Sequence, residues 1–250
     1  MWRRHLAVAA ALLIAVLLTF HSTLRAGFVF DDVRIVEQNP AIRSLASIPS
    51  FFANLFRYRP IHSRGILIDP SYRPVRFVSH TLDYQIFGLN AGGHHFMNLI
   101  YHAAVAFVVY LLLLRLGAGF FPSVLAAFVF ALHPLNSEVA CYVTSRKDSL
   151  CALLSFGAFL YYLRLRLRPT IAGVAILSLL VVLAMLTKEM AVMLPVIFAL
   201  YEAFRTPRGR MLPSLAFRAR RILPSILPAL LLAAAFAFFK VFIKNPVKRH

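Results

Sequence analysis

The sequence predicts an all-α polytopic membrane protein: about seven transmembrane helices, with a long first outer loop that carries short interfacial helices. Three observations predict it. The 250-residue chain is 60% hydrophobic, against about 45–50% for an ordinary soluble domain, and its mean hydropathy is +0.76. The apolar residues gather in runs of about 15–22, the length that crosses roughly 30 Å of hydrocarbon as a helix. The runs are continuous rather than alternating, which excludes a barrel of strands, and a helix satisfies its own backbone hydrogen bonds in lipid.

The first run, Leu6–Phe20, follows Arg3 and Arg4 and reads as a retained signal anchor, domain 1–20, because no small-residue cleavage site follows it. Residues 21–95 form a polar segment with Pro40, Pro49, Pro60, Pro70 and Pro74, an ordered extracytoplasmic loop lying on the membrane. Within it, Ile48–Phe56 has the pattern of an interfacial helix with Phe51, Phe52 and Phe56 on its apolar face. The bundle 96–243 holds the remaining runs: Phe96–Leu116, Phe121–Leu135, Ser149–Leu163, Thr170–Leu186, the short Met190–Ala203, and Ile222–Ile243. The basic tail 244–250 reads as cut short.

A formal net charge of +18, from 27 Lys and Arg against 9 Asp and Glu, would point to nucleic acid in a soluble protein. Here the arginines fill short loops between apolar runs, where they set topology, so no nucleic-acid partner is expected. Arg3 and Arg4, then Arg164, Arg166 and Arg168, then Arg205, Arg208, Arg210, Arg218, Arg220 and Arg221 mark the inner side. The N-terminus is therefore cytoplasmic, in a bacterial inner membrane or one of endoplasmic-reticulum type. Cys141 and Cys151 lack metal-site spacing and read as two small buried residues rather than a disulfide.

This orientation gathers the acids outside. Asp31, Asp32, Glu37, Asp69 and Asp83 fall in the first outer loop, Glu138 and Asp148 flank the second, and Glu189 sits at the third; Glu202 alone falls inside. Ionisable groups beside hydrocarbon are costly and so are functional candidates. Asp31-Asp32 stands just past the first span, where two adjacent carboxylates perturb one another and one is suited to general-base work. Arg146, Lys147 and Lys188 are cations at the outer ends of helices and suit a phosphate or pyrophosphate headgroup. His95, Asn98 and His102 share one face of the second span, and a polar stripe on a membrane helix faces the bundle. No carboxylate joins those histidines at ligand spacing, so no metal is expected.

Taken in order, Phe28-Val29-Phe30-Asp31-Asp32, Tyr72-Arg73-Pro74, Phe87-Gly88-Leu89-Asn90, and His95 with Asn98 and His102 resemble the GT-C glycosyltransferase superfamily. The nearest branch is the N-terminal membrane module of the tetratricopeptide-repeat transmembrane O-mannosyltransferases and their bacterial relatives. Leu132-His133-Pro134-Leu135-Asn136-Ser137-Glu138, Ser145-Arg146-Lys147-Asp148, and Leu186-Thr187-Lys188-Glu189 extend the resemblance to about Glu202. Asn136 replaces a second histidine often found after His-Pro in that branch, and no repeat of about 34 residues is visible.

The resemblance implies a membrane transferase moving mannose or another hexose from a polyprenyl-phosphate donor to a Ser or Thr hydroxyl, or another protein or glycan acceptor, on the outer face. Asp31 or Asp32 would be the base. Arg146, Lys147 and Lys188 would bind the donor phosphate, and Tyr72, Arg73, His95, Asn98, His102, His133, Glu138, Asp148 and Glu189 would shape the site. Its partners are the bilayer, the lipid-linked sugar and the acceptor; no cofactor is expected. The alternative is a non-catalytic fragment or assembly subunit on the same scaffold. A transporter is disfavoured, because the acids cluster at helix ends and no inverted repeat is seen.

Overall fold

The computed structural model describes residues 2–57, 61–63, 66–69, 72–204 and 226–239. The arginines from Arg205 to Arg221, both ends of the last predicted run, the basic tail, and the side chains of Phe56 and Asp69 lie outside the described residues. The helices are α1 (Trp2–Thr19), α2 (Ile48–Arg57), α3 (Pro74–Phe87), α4 (Ala91–Leu116), α5 (Phe120–Leu132), α6 (Ser137–Cys141), α7 (Arg146–Leu165), α8 (Ile171–Met185) and α9 (Leu194–Phe204), followed by α10 (Ile226–Phe238). The expectation of an all-α chain needs one correction: β1 (Ile61–Ser63) and β2 (Ile66–Asp69) pair antiparallel within the first loop, His62 opposite Leu67. The isoleucines among these residues favour extended backbone.

Among the described residues, three helical segments are long and apolar enough to cross a membrane: Trp2–Thr19, Ala91–Leu116 and Val143–Leu165. A fourth span results if Phe120–Leu132 and Pro134–Cys141, bent by 54°, count as one. The bend falls at Pro134, which has no N–H to continue the helix. The fifth and sixth predicted runs become α8, with 15 residues, and α9, with 11. Both are shorter than the roughly 20 residues of a straight span.

The chain divides into two compact units, Met1–Leu153 and Leu154–His250. In the first, Val8, Leu12, Val16 and Phe20 recur every fourth residue, forming one buried stripe along and just past α1. They join Leu99, Ala103, Ala106 and Tyr110 of α4, Ala127 and Ala131 of α5, and Ala140 of α6 in one core. The alanines let these helices approach closely, as small residues do between membrane helices. A second core lies within the loop: Ile35, Val36, Ile42, Phe51, Phe77 and Val143. Phe51 packs on Phe77 with ring centroids 5.5 Å apart, so the apolar face predicted for α2 is turned partly into this core, while Phe52 is exposed.

In the second unit, Tyr162 and Phe198 stack at 4.6 Å. Beneath them Arg166 pairs with both oxygens of Glu202, and the Tyr162 hydroxyl donates to the same carboxylate at 3.1 Å. Arg166 therefore holds a buried acid as well as lying in a basic loop.

Candidate active site

The loop entering the site makes a strained turn. Phe30 takes φ +47°, a left-handed conformation uncommon for a bulky residue, and its ring is exposed. The turn separates the two carboxylates that follow. The Asp31 side chain is 48% exposed and pairs with Arg34 at 2.5 Å, while its backbone N–H donates to the Tyr142 hydroxyl at 2.9 Å. Asp32 is 0% exposed. Its Oδ1 accepts from the backbone N–H of Thr144 at 2.7 Å and from the Thr144 hydroxyl at 2.5 Å. Its Oδ2 is buried without a hydrogen-bond partner among the described residues. Burial pushes the Asp32 carboxyl above the usual carboxylate range, against the pull of the Thr144 donors.

Beneath this pair, the predicted stripe on α4 is buried and faces its neighbours. Helix C-termini leave their last carbonyls without intrahelical partners, and the stripe supplies donors to them. His95 Nδ1 donates to the carbonyl of Cys141 at 2.8 Å, Asn98 to that of Tyr142 at 2.8 Å, and His102 Nε2 to that of Ala131 at 2.9 Å. Asn136, the departure from the family pattern, donates to the carbonyl of Phe130 at 2.8 Å. Among the described residues no group of three His, Cys, Asp or Glu side chains is placed to hold a metal ion.

Arg146 is corrected: it does not line an open mouth. It is 0% exposed, ion-paired with Asp83, and donates through Nε to Asn98 Oδ1 at 2.7 Å and through its terminal nitrogen to the His94 carbonyl at 2.9 Å. Tyr101 lies under its guanidinium, 5.5 Å to the ring centroid. A buried cation needs such a set of acceptors to offset its lost hydration. Lys147 is half-buried; its Nζ donates to the Thr144 carbonyl at 3.3 Å and lies 3.9 Å from Asp148. Lys188 and Glu189 belong to the second unit, both half-buried, with Glu189 opening the short turn Glu189–Met193.

The remaining predicted residues sit as follows. Tyr72 is half-buried, its hydroxyl donating to the Phe52 carbonyl at 3.1 Å, and burial pushes its phenol up to about 12. Arg73 precedes Pro74 at the start of α3. His133 is exposed and accepts from the Leu135 N–H at 3.2 Å, capping the turn after α5. Glu138 is exposed in the first turn of α6. Asp148 is half-buried in the first turn of α7. Both cysteines are free thiols.

Sequence reasoning missed Asp83, Tyr142 and Thr144. In the sequence Asp83 is only one of several acids expected on the outer side. The signal for Thr144 was its nearness to Arg146 in a motif already singled out. Tyr142 accepts from the Asp31 backbone, Thr144 binds the Asp32 carboxylate and Arg146 that of Asp83, so one short stretch ties down two carboxylates and the backbone of the third aspartate.

No family model matches the chain, and no solved structure matches it. Among curated proteins it is similar to human protein O-mannosyl-transferase TMTC3, at 30% identity over 207 residues, which covers 82% of this chain and 22% of the relative. The mouse TMTC3 protein is 29% identical over 199 residues, with 78% and 21% covered. Protein O-mannosyl-transferase Tmtc1 of Drosophila melanogaster is 27% identical over 189 residues, with 76% and 22% covered. The chain spans about a fifth of the length of these relatives. The resemblance carried by its motifs and the similarity along most of its length agree: this chain is a sequence relative of the protein O-mannosyl-transferases.

Proposed function

We propose that the chain carries the transfer site of a membrane glycosyltransferase, which moves mannose or another hexose from a polyprenyl-phosphate donor to a Ser or Thr hydroxyl, or another acceptor, on the outer face. The observation that supports this reading best is the unequal treatment of two adjacent carboxylates. Asp32 is buried and anchored by Thr144; Asp31 is left half-exposed, with Arg34 and the Tyr142 hydroxyl fixing its position. Asp31 is thus the base and Asp32 the anchor.

In the reaction, Asp31 takes the proton of the acceptor hydroxyl as that oxygen bonds to C1 of the sugar. The C1–O bond to phosphate breaks, and its electron pair leaves with the polyprenyl phosphate. Positive charge gathers on the ring as the leaving group departs, and a cation near the phosphate lowers the barrier. Lys147 supplies that cation in this reading. The scheme uses no metal and no cofactor. It places the cytoplasm at the N-terminus, crosses the membrane about seven times, and sets the 21–95 loop on the outer face.

The test is transfer of labelled mannose from polyprenyl-phosphate mannose to a Ser/Thr peptide in membranes holding the full chain. Asp31→Asn is expected to abolish transfer while insertion is retained; Asp32→Asn, which keeps an acceptor for Thr144, is expected to retain part of it. Transfer untouched by Asp31→Asn overturns the assignment. No transfer by the wild type from mannosyl or glucosyl donors moves the chain to the non-catalytic subunit reading.

A further inference from the structure

A cleft of about 180 Å³ opens between α4, the α5–α6 bend and the start of α7, walled by His102, Phe130, Asn136, Val139, Asp148 and Ser149 among others. Ser149 is 2% exposed, and its hydroxyl has no hydrogen-bond partner among the described residues. A buried hydroxyl left unmatched costs free energy that a ligand can return. His102 and Phe130 stack face to face, centroids 5.7 Å apart, making one wall flat and aromatic. His102 and Asn136 are themselves held by the carbonyls of Ala131 and Phe130, so the wall is pre-organised.

We propose that this cleft receives the sugar ring of the donor, an inference that rests on the transfer reading above. The lining selects among the donor's three parts. A hydrocarbon tail would leave the Ser149 hydroxyl unsatisfied. A phosphate would meet the carboxylate of Asp148 and be repelled. A hexose offers hydroxyls that donate to Asp148 and exchange hydrogen bonds with Ser149, and its C–H face fits the aromatic wall. The volume lies below the roughly 300 Å³ at which pockets begin to hold drug-sized ligands, which suits one ring. The placement fits as well. Asp148 follows Thr144, which anchors Asp32, by about one helical turn.

The experiment uses the full chain in membranes, with Cys141→Ser, Cys151→Ser and Val139→Cys, and follows the rate of labelling by N-ethylmaleimide. Polyprenyl-phosphate mannose at ten times its Kd is expected to slow labelling about tenfold, and bare polyprenyl phosphate of the same chain length to leave the rate unchanged. Adding Ser149→Ala is expected to weaken the protection. Ala152→Cys, on the same cleft, gives the second reading should Val139→Cys fail to insert. Equal protection by the bare lipid phosphate, or protection by neither lipid, overturns the proposal. Transfer by the wild type is measured in parallel. Protection without transfer sustains the cleft and removes the transfer reading; transfer without protection removes the cleft alone.

Discussion

Thr144 gives both its backbone N–H and its hydroxyl to one oxygen of Asp32, at 2.7 and 2.5 Å. These two hydrogen bonds, one from the backbone and one from the side chain, fasten the loop after α1 to the junction between α6 and α7. It also fixes the residue next to Asp31, so that the orientation of the exposed carboxylate depends on a threonine far from it in sequence.

Thr144→Val keeps the shape of the side chain and removes one of these donors from a buried carboxylate. The expected cost is about 1–3 kcal/mol, read as a lowered denaturation midpoint in detergent. Thr144→Ser is expected to restore most of it. Equal losses in the two variants would assign the effect to packing rather than to the hydroxyl.

Asp83 and Arg146 form a buried ion pair. Arg146→Leu leaves the buried Asp83 carboxylate without this partner. Breaking such a pair costs about 3–5 kcal/mol. The double variant Asp83→Leu, Arg146→Leu is expected to regain much of that loss, because no uncompensated charge remains. A thermal double-mutant cycle checks it: a double variant no more stable than Arg146→Leu contradicts the pairing.

His80 is fully buried and neither ring nitrogen has a hydrogen-bond partner among the described residues. Burial, together with the nearby charges of Arg146 and Arg76, holds its imidazole well below the ordinary 6.5. As pH falls through 6.5 the unfolded chain takes up this proton and the folded chain does not. Stability is therefore lost on acidification, with a slope of at most about 1.4 kcal/mol per pH unit from this group. Asp32 and Asp83, both raised by burial, act in the opposite sense at lower pH. The comparison isolating His80 is wild type against His80→Phe, whose stability is expected to fall less between pH 6.5 and 5; identical slopes would contradict the burial of a neutral ring.

Two glycines separate close approach from open space. A Cβ on Gly92 would lie 2.6 Å from the carbonyl oxygen of Leu24, a backbone atom that cannot swing aside, whereas one on Gly157 meets nothing within 4 Å. Gly92→Ala is expected to destabilise by about 1–3 kcal/mol, and Gly157→Ala to stabilise by about 0.5–1 kcal/mol. Melting of the two single variants tests the contrast.

How much of this was legible in the sequence differs from residue to residue. The stripe of His95, Asn98 and His102 was readable because helical periodicity puts them on one face whatever lies opposite. What they bind was not, since the receiving carbonyls belong to helix ends set by the break at Pro134. Arg146 was misplaced for a related reason. A cation at the end of an apolar run reads as solvent-facing until its acceptors are known, and Asp83, Asn98 and the His94 carbonyl come from elements that only the fold brings together. Neighbouring carboxylates look equivalent in a sequence; the turn at Phe30 and the donors of Thr144 make them unlike. The membrane runs were visible from composition, yet α8 and α9 came out shorter than a span because the intervening segment folds into a separate turn.

The bent α5–α6 pair has a consequence for how the chain is made. His95, Asn98 and His102, which donate to the carbonyls of Cys141, Tyr142 and Ala131, all sit on α4, which the ribosome delivers first. When the broken segment emerges, these donors have already been made. Synthesis from N- to C-terminus thus brings these three carbonyls next to donors made before them.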